Sequence, residues 1–292
     1  MKKFILFLFV SLHFAGFSFG QIDPSTVKVN LKELSPGLHL IKIYGCNCLA
    51  SIGEDGIILV DASYEELGEK LKSEIKKIDD RKINYLINTH WHFDHVGGNY
   101  AIGKEAVVIT NDLTRELLTK DEMLLGENIK AHPANILPKI TFSSEMNLFF
   151  NSDTVKLISM PGGHTGGDIL VYFKKANVLH IGDIAFSDMF PFCDITHGGS
   201  VSGISESISK IISIFPADVR IITGHGREYN IEDLKNYKKM VDDTYKIVTE
   251  EIKKNRSLEE IKKNNVLKDW TDWGVAFTCD DWIDMIYNSK IK

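Results

Sequence analysis

The sequence predicts an α/β protein in which short strands alternate with helices. Three observations carry this prediction: short apolar runs recur along the chain, amphipathic segments separate them, and the pattern starts again near residue 150. The chain has 292 residues, of which 43% are hydrophobic and 25% are charged, so it is long enough to bury a sizeable core. No Pro-rich or low-complexity linker separates the halves, and we expect a single domain over 21–292.

The first half is predicted to open with a hairpin and then to alternate strand and helix. Glu54-Asp55-Gly56 is typical of the turn between two hairpin strands. A helix over 64–78 places Leu71 and Ile75 on one apolar face. The predicted elements of this half are strands at 38–44, 48–52, 57–60, 83–88 and 106–110, and helices at 64–78 and 112–120.

The second half repeats the alternation after an irregular stretch. The segment 126–138 has weak periodicity and two prolines, so we expect a long loop there. The predicted elements that follow are strands at 155–159, 169–173, 178–181 and 219–222, and helices at 205–215 and 231–254.

The first twenty residues have the layout of a secretory signal peptide. Lys2 and Lys3 precede an apolar run over 4–19, and Ser18 and Gly20 supply small residues before the expected cleavage point. The run of 16 residues is shorter than the roughly 20 that a membrane-spanning helix needs. We therefore expect cleavage after residue 20, export to a periplasm or beyond, and no stable membrane insertion.

Charge and cysteine content narrow the class of partner. The net charge is −6 and no basic stripe is visible, so nucleic acid is a poor partner and a small-molecule substrate is expected. Cys46 and Cys48 are two apart on a predicted strand and share a face, which disfavours a bridge between them. The sequence leaves the oligomeric state open.

The run Thr89-His90-Trp91-His92-Phe93-Asp94-His95 carries the clearest chemical signal in the sequence. It places three histidines and an aspartate within six consecutive positions, directly after a predicted strand. His90 and His92 are two apart, so both rings project to one side of an extended segment. Asp94 and His95 diverge from each other and suit a second position beside the first. Imidazole and carboxylate together suit zinc and similar metals.

Three further candidate ligands each follow a predicted strand. His164 and His225 are flanked by glycines, which allow the backbone to pack closely where a side chain would obstruct. Asp183 lies in His180-Ile181-Gly182-Asp183, also just beyond a strand. Because loops converge at the carboxyl ends of strands, we expect these side chains to complete a metal site with the histidine run.

His90-x-His92-x-Asp94-His95, followed in order by His164, Asp183 and His225, resembles the metallo-β-lactamase fold superfamily of metallohydrolases. The resemblance extends over about 38–287 and implies an αββα sandwich with a dinuclear metal site at one edge. It also implies a ligand assignment. One metal would be held by His90, His92 and His164, the other by Asp94, His95 and His225, and Asp183 would bridge the pair.

Departures from individual branches of that superfamily are informative. Asp183 stands where lactamases of antibiotic resistance carry a cysteine ligand, and Phe186 stands where they often place a lysine. β-Lactam hydrolysis is therefore possible but not favoured. His92 stands where the diiron flavoprotein branch carries a glutamate, which disfavours a redox role. The stretches 191–194 and 198–200 resemble an exported, poorly characterised branch of hydrolases, which says little about the substrate.

The resemblance implies metal-assisted hydrolysis of an ester, lactone, thioester or cyclic amide. Two Zn²⁺ ions are the expected cofactors, with manganese or iron possible at the second position. Water between the cations would lose a proton near neutral pH and attack the carbonyl. Asp94 is the expected catalytic residue, since such sites use it to orient the nucleophile and handle its proton.

Several points stay open at this level. A phosphodiesterase on the same site and a non-catalytic metal-binding protein are the alternative functions. Candidates to recognise an anionic part of the substrate are Arg227, Tyr229, His197 and Ser200. The sequence does not show whether Cys193 or the segment 126–138 reaches the site.

Overall fold

The structure is a computed structural model that describes residues 22–291. The predicted signal peptide, 1–20, lies outside the described residues. Within 22–291, no helix is both long enough and apolar enough to cross a membrane.

Strands make up two main sheets and one small hairpin. In chain order they are β1 (Val29–Ser35), β2 (Leu38–Ile43), β3 (Cys46–Gly53), β4 (Gly56–Val60), β5 (Ile83–Ile87), β6 (Val107–Asn111), β7 (Glu122–Leu124), β8 (Glu127–Ile129), β9 (Ile140–Phe142), β10 (Glu145–Phe150), β11 (Asp153–Ser159), β12 (Ile169–Phe173), β13 (Val178–His180) and β14 (Arg220–Ile222).

Helices follow the strands of both halves. They are α1 (Gly68–Lys76), α2 (Phe93–Val96), α3 (Asn99–Ile102), α4 (Asp112–Leu117), α5 (Val201–Ile214), α6 (Ile231–Lys253), α7 (Leu258–Lys263) and α8 (Cys279–Ile291). Short 3₁₀ turns lie at Glu65–Leu67, Gly182–Ile184, Ile195–His197 and Lys268–Trp273.

The two sheets divide the chain close to the predicted midpoint. The first has the strand order β1-β2-β3-β4-β5-β6-β9, and the second has the order β10-β11-β12-β13-β14. In the first sheet, β1 to β4 form an antiparallel meander, and β4, β5, β6 and β9 are parallel neighbours. In the second sheet only β13 and β14 are parallel neighbours, and β11 runs in the same direction as both.

Alternation along single strands explains the layers. In β4, Ile57 and Leu59 pack towards Leu71 of α1, whereas Ile58 and Val60 pack towards the second sheet. Successive side chains of a strand point to opposite faces, so a strand that is apolar throughout is buried on both. The first sheet is therefore covered by helices on one face and by the second sheet on the other.

The second sheet is covered in the same way. Its inner face contributes residues such as Val155 and Val171 to the core between the sheets. Its outer face packs Leu170 and Leu179 against a cluster that includes Leu234 of α6. The order of layers is helix, sheet, sheet, helix, which confirms the αββα sandwich.

Several predicted segments differ from the structure, among them the helix expected over 112–120, which ends at Leu117. The helix expected over 64–78 is a 3₁₀ turn at Glu65–Leu67 followed by α1, and the helix expected at 205–215 begins earlier, at Val201. The prediction of a long loop over 126–138 is wrong in its first part, because β8 pairs with β7 in an antiparallel hairpin. This hairpin is too short for sequence periodicity to reveal it.

Candidate metal centre

Loops at the carboxyl ends of strands from both sheets bring the predicted ligands together. The histidine run follows β5 of the first sheet. His164, Asp183 and His225 follow β11, β13 and β14 of the second. Because those three strands run in one direction, their carboxyl ends meet at one edge of the sheet, facing the run.

The ligand atoms form two groups that share one carboxylate. In each group the atoms lie within 4.8 Å of one another. The first group is His90, His92, His164 and Asp183; the second is Asp94, His95, Asp183 and His225. These are the seven residues, in the two sets, that the sequence resemblance implied.

Asp183 lies between the two groups. Its Oδ2 is 3.8 Å from His90 Nε2 and 3.7 Å from His164 Nε2 on one side. On the other side, Oδ2 is 3.3 Å from His225 Nε2, and Oδ1 is 3.3 Å from His95 Nε2. A carboxylate in this position can bind cations in both groups at once.

Unsatisfied polar atoms test whether a cation fits. His90 Nε2 is buried without a hydrogen-bond partner. His95 Nε2 and Asp183 Oδ1 are 3.3 Å apart and buried, but they are not aligned for a hydrogen bond. Leaving such atoms unpaired is costly, and natural structures normally satisfy them with protein, water or an ion. The donor set of imidazole nitrogens and carboxylates is one that divalent transition metals accept. The residues therefore fit a divalent metal.

Carboxylates hydrogen-bond to the histidines of the run, directly or through Thr89, on the side away from the ligand groups. His95 Nδ1 lies 2.7 Å from Asp61 Oδ2, and His92 Nε2 lies 3.0 Å from Asp194 Oδ2. His90 Nδ1 lies 3.0 Å from the hydroxyl of Thr89, which itself donates to Asp61. Each bond occupies the ring nitrogen that points away from the ligand group, which fixes the orientation of the ring.

Backbone carbonyls play the same part for the other two histidines. His164 Nδ1 donates to the carbonyl of Phe192 over 2.8 Å, and His225 Nδ1 donates to that of Gly45 over 3.0 Å. The remaining nitrogen of each ring, Nε2, is then free of its proton when the ring is neutral and faces the ligand group.

Asp194 is a functional residue that the sequence analysis did not identify. Its buried carboxylate accepts hydrogen bonds from His92, from Trp91 Nε1 (3.1 Å) and from His197 Nδ1 (2.8 Å). Burial alone would raise the pKa of Asp194, but the hydrogen bonds from His197 and His92 hold it below its ordinary value. The carboxylate therefore stays charged, as a partner of a ligand histidine should.

Close backbone approach at Gly224 is required by the ligands themselves. A Cβ at this position would overlap Asp183 Oδ1 and lie 2.9 Å from His95 Cε1. Only glycine leaves room for both side chains, which explains one of the two glycines that flank His225.

Burial and neighbouring carboxylates shift the pKa values of the site histidines in opposite directions. Burial lowers the pKa of His90 well below its ordinary value. Burial also acts on His225, but the carboxylates of Asp183 and Asp94 outweigh it and raise that pKa to about 10. A site with one buried and one half-buried acid among histidines thus needs positive charge, which protons or cations can supply.

A pocket of about 460 Å³ opens onto the ligand groups. His92, Asp94, His164, Asp183 and His225 contribute to its wall. Its volume lies in the range that holds small molecules in proteins. The site can therefore present a small substrate to the ligand side chains.

The four candidate substrate residues do not line this pocket. The Arg227 guanidinium binds Asp188 (2.6 Å) and Asp233 (2.9 Å). The buried Tyr229 hydroxyl donates to Asp188 and accepts from the Asp188 amide. Both residues thus hold the loop at Asp188 in place beside the site. Contact of either residue with a substrate stays a prediction, and their position outside the pocket lining does not favour it.

Ser200 and His197 also make contacts within the protein. Ser200 caps α5, since its hydroxyl accepts from the Gly203 amide over 3.0 Å. His197 lies between Asp194 and Glu122, with its Nε2 3.3 Å from Glu122 Oε2. These contacts link β7 to the carboxylate that holds His92.

Two open questions from the sequence have structural answers. Cys193 is buried with its Sγ near the carbonyl of Gly163, and it does not line the pocket. The segment 126–138 does not line it either, but Leu124 and Leu125, at the turn between β7 and β8, do.

Comparison with known proteins supports a single family. The sequence model described as the metallo-beta-lactamase superfamily matches residues 42–225. The chain is 24% identical over 236 residues to a metallo-beta-lactamase type 2 of Elizabethkingia meningoseptica, across 77% of this chain and 89% of that protein. It is 30% identical over 168 residues to a hydroxyacylglutathione hydrolase of Pelagibacter ubique, across 56% of this chain and 60% of that protein.

A solved structure shows the same fold. The metallo-beta-lactamase from Pontibacter korlensis aligns with a TM-score of 0.62 at 20% identity, across 74% of this chain and 99% of that chain. The family match covers more than half of the chain and spans the histidine run, His164, Asp183 and His225. The protein belongs to the metallo-beta-lactamase superfamily of metal-dependent hydrolases.

Proposed function

We propose that the protein is a hydrolase that uses two zinc ions to cleave an ester, lactone, thioester or cyclic amide. The observation that carries this proposal is the arrangement of seven ligand side chains in two groups that share Asp183 and open onto one pocket. A site built only to store one ion would need neither the shared carboxylate nor the adjoining cavity.

The ligand sets assign the cations. His90, His92 and His164 would hold one, Asp94, His95 and His225 the other, and Asp183 would contact both. Divalent cations held there would supply Lewis acidity, which polarises a carbonyl group and makes water more acidic. Zinc suits the imidazole-rich first group best, and manganese or iron suits the more oxygen-rich second group.

Asp94 is the residue that we assign to proton transfer. Its carboxylate lines the pocket and lies 3.1 Å from His225 Nε2 and 3.6 Å from His95 Nε2. There it can take the proton of the attacking water as the water oxygen bonds to the carbonyl carbon. The same proton can then pass to the leaving group as its bond to carbon breaks.

The names of the relatives support attack on a carbonyl carbon. One relative is named as a β-lactamase and another as a hydroxyacylglutathione hydrolase. Asp183 in place of a cysteine ligand, and Phe186 in place of a lysine, favour esters, thioesters and lactones over β-lactams in this chain.

We also propose that the protein is exported. Support comes from the basic residues, the apolar run and the small residues of the segment 1–20. The amino-terminal sequence of protein purified from the native host would begin near Gln21, and a mature chain that still carries Met1 would contradict export.

The test is hydrolysis by the zinc-loaded mature protein of a panel with one thioester, one lactone, one carboxylic ester, one β-lactam and one phosphodiester. We expect turnover of carbonyl substrates that His92→Ala abolishes. His39→Ala, which removes a histidine of β2 that does not line the pocket, should retain most of it. Turnover of the phosphodiester alone would overturn the proposed substrate class. Bound metal without any turnover would indicate a metal-binding protein.

A further inference from the structure

We propose that the substrate of this site is uncharged and apolar beyond its reacting carbonyl, with an alkyl or aromatic group in place of a carboxylate or phosphate. This proposal rests on the proposed function and narrows its substrate class. It concerns the pocket wall away from the ligand groups.

Aromatic rings form two sides of that wall. On one side Tyr64 packs edge-on against Tyr44, with ring centroids 5.6 Å apart, and tilts against Phe93 at 5.7 Å. All three rings line the pocket. They come from segments just beyond β2, β4 and β5, so the first sheet supplies this side.

The second side comes from the other half of the molecule. Phe192 stacks on Phe277 with centroids 5.7 Å apart, and Phe186 lies 6.4 Å from Phe277. Phe186 also packs against the ring of His225 at 4.9 Å, so the aromatic surface begins directly beside the ligands. A group attached to the carbonyl would meet these rings first.

Aliphatic side chains complete the wall. Leu124 and Leu125 reach the pocket from the turn of the β7–β8 hairpin, and Met189 and Ala276 join them from the second half. An apolar chain bound here would gain contact with apolar side chains from both halves of the molecule.

The same wall offers no cationic side chain to an anion. Among the pocket-lining residues of the described chain there is no lysine or arginine. Basic side chains close to the lining in sequence have other partners: Arg227 pairs with Asp188, and Lys42 donates to the carbonyl of Gly226. Lys120, near the hairpin, pairs with Glu122. A carboxylate buried against this wall would lose water without gaining a cationic partner.

Exposed apolar side chains at the edge of the pocket are consistent with an apolar substrate. Tyr44, which lines the pocket, is 54% exposed. Met123 and Val275 are 56% and 69% exposed, and each is the chain neighbour of a lining residue, Leu124 and Ala276. Apolar surface on three separate segments beside one opening is typical of a binding site.

The proposal is tested with a pair of esters of equal chain length. 4-Nitrophenyl hexanoate and the 4-nitrophenyl monoester of adipic acid share a leaving group and a six-carbon acyl chain, and only the second carries a terminal carboxylate. We expect kcat/KM for the hexanoate to exceed that for the adipate by roughly 10-fold or more, because the carboxylate loses water and finds no cationic partner. From acetate to hexanoate, kcat/KM should rise by up to about 4-fold per methylene.

A matched pair of variants locates the effect in the wall. Met189→Lys places a cation there, whereas Met189→Gln changes polarity at similar length without charge. The lysine variant should narrow or invert the preference for hexanoate over adipate, and the glutamine variant should largely keep it. If the lysine variant fails to fold, Leu125→Arg at the hairpin provides the same test.

Binding without turnover gives an independent measurement. The uncharged fluorophore N-phenyl-1-naphthylamine has no hydrolysable bond and should bind zinc-loaded protein, and Met189→Lys should weaken binding more than Met189→Gln does. Equal or higher kcat/KM for the adipate would overturn the apolar substrate while leaving the hydrolase intact. If the protein hydrolyses neither ester and no other carbonyl substrate, the proposed function is overturned. Fluorophore binding that Met189→Lys does not weaken would overturn the apolar wall as its site.

Discussion

At the scale of single residues, the ligand histidines are held by a second set of polar groups. Asp61 supports His95, and Asp194 supports His92. The sequence predicted the cluster of candidate ligands, because four of them fall within six positions. It could not predict the role of Asp194, since the carboxylate and His92 are 102 positions apart and only the fold joins them.

Replacing Asp194 with asparagine tests this support. Asp194→Asn keeps the shape of the side chain but removes the charge that faces His92, so zinc affinity should fall by about 10- to 100-fold. Competition with a fluorescent chelator measures the change. Asp188→Asn, which removes a carboxylate that pairs with Arg227 at the surface, is the matched control and should bind zinc normally. Equal affinity in both variants would refute the assigned role.

His132 predicts a pH dependence of stability away from the ligands. It is buried beside Tyr100, and burial lowers its pKa to about 4 from an ordinary 6.5. Between these values the unfolded chain binds a proton that the folded protein does not. The stability from this residue is thus complete above pH 6.5 and is lost as the pH falls towards 4.

The corresponding experiment is urea unfolding of metal-free protein near pH 7 and near pH 4.5. Wild-type protein should lose about 2 kcal/mol more stability between these conditions than His132→Gln does. An identical loss in both proteins would show that His132 is protonated as readily in the folded state as in the unfolded chain.

At the scale of elements, distinct apolar runs and amphipathic segments predicted their strands and helices, whereas β1, β10 and α8 were not predicted. The strand Ile169–Phe173 and the helix Ile231–Lys253 match their predicted bounds within one residue. Both have strong apolar patterns. The strands β7, β8 and β9 have three residues each, too few for a period to show, and tertiary pairing decides them.

The start of α5 gives Ser200 a structural role beside its predicted one. Substrate binding by Ser200 stays a prediction, and its hydroxyl accepts from the Gly203 amide at the first turn. We expect Ser200→Ala to lower the free energy of unfolding by about 1 kcal/mol. Ser200→Thr should retain most of the stability, because threonine keeps a hydroxyl that can accept from the Gly203 amide and donate to the Gly162 carbonyl. Thermal or urea unfolding measures both. A large fall in kcat/KM of Ser200→Ala without loss of stability would support a direct contact between Ser200 and the substrate.

At the scale of the whole molecule, the site joins the two sheets. The histidine run follows β5 in the first sheet, whereas His164, Asp183 and His225 follow strands of the second. A metal ion bound by both sets would therefore link the halves of the sandwich across the edge of their shared core.

Metal removal should accordingly destabilise the fold. At a free zinc concentration of 1,000 times the dissociation constant, binding stabilises the folded state by about 4 kcal/mol. We expect the Tm to fall when chelator is added, to recover with zinc, and to respond weakly to both in His92→Ala. A Tm that is indifferent to chelator in wild-type protein would show that the site does not bind zinc tightly in the folded state.

Metal stoichiometry tests the central claim most directly. Elemental analysis of zinc-loaded protein after removal of excess metal should give two zinc ions per chain for the wild type. Asp183→Ala, which removes the carboxylate shared by both ligand groups, should lower that number. One zinc per chain in the wild type, with the same value in Asp183→Ala, would contradict a dinuclear centre bridged by Asp183.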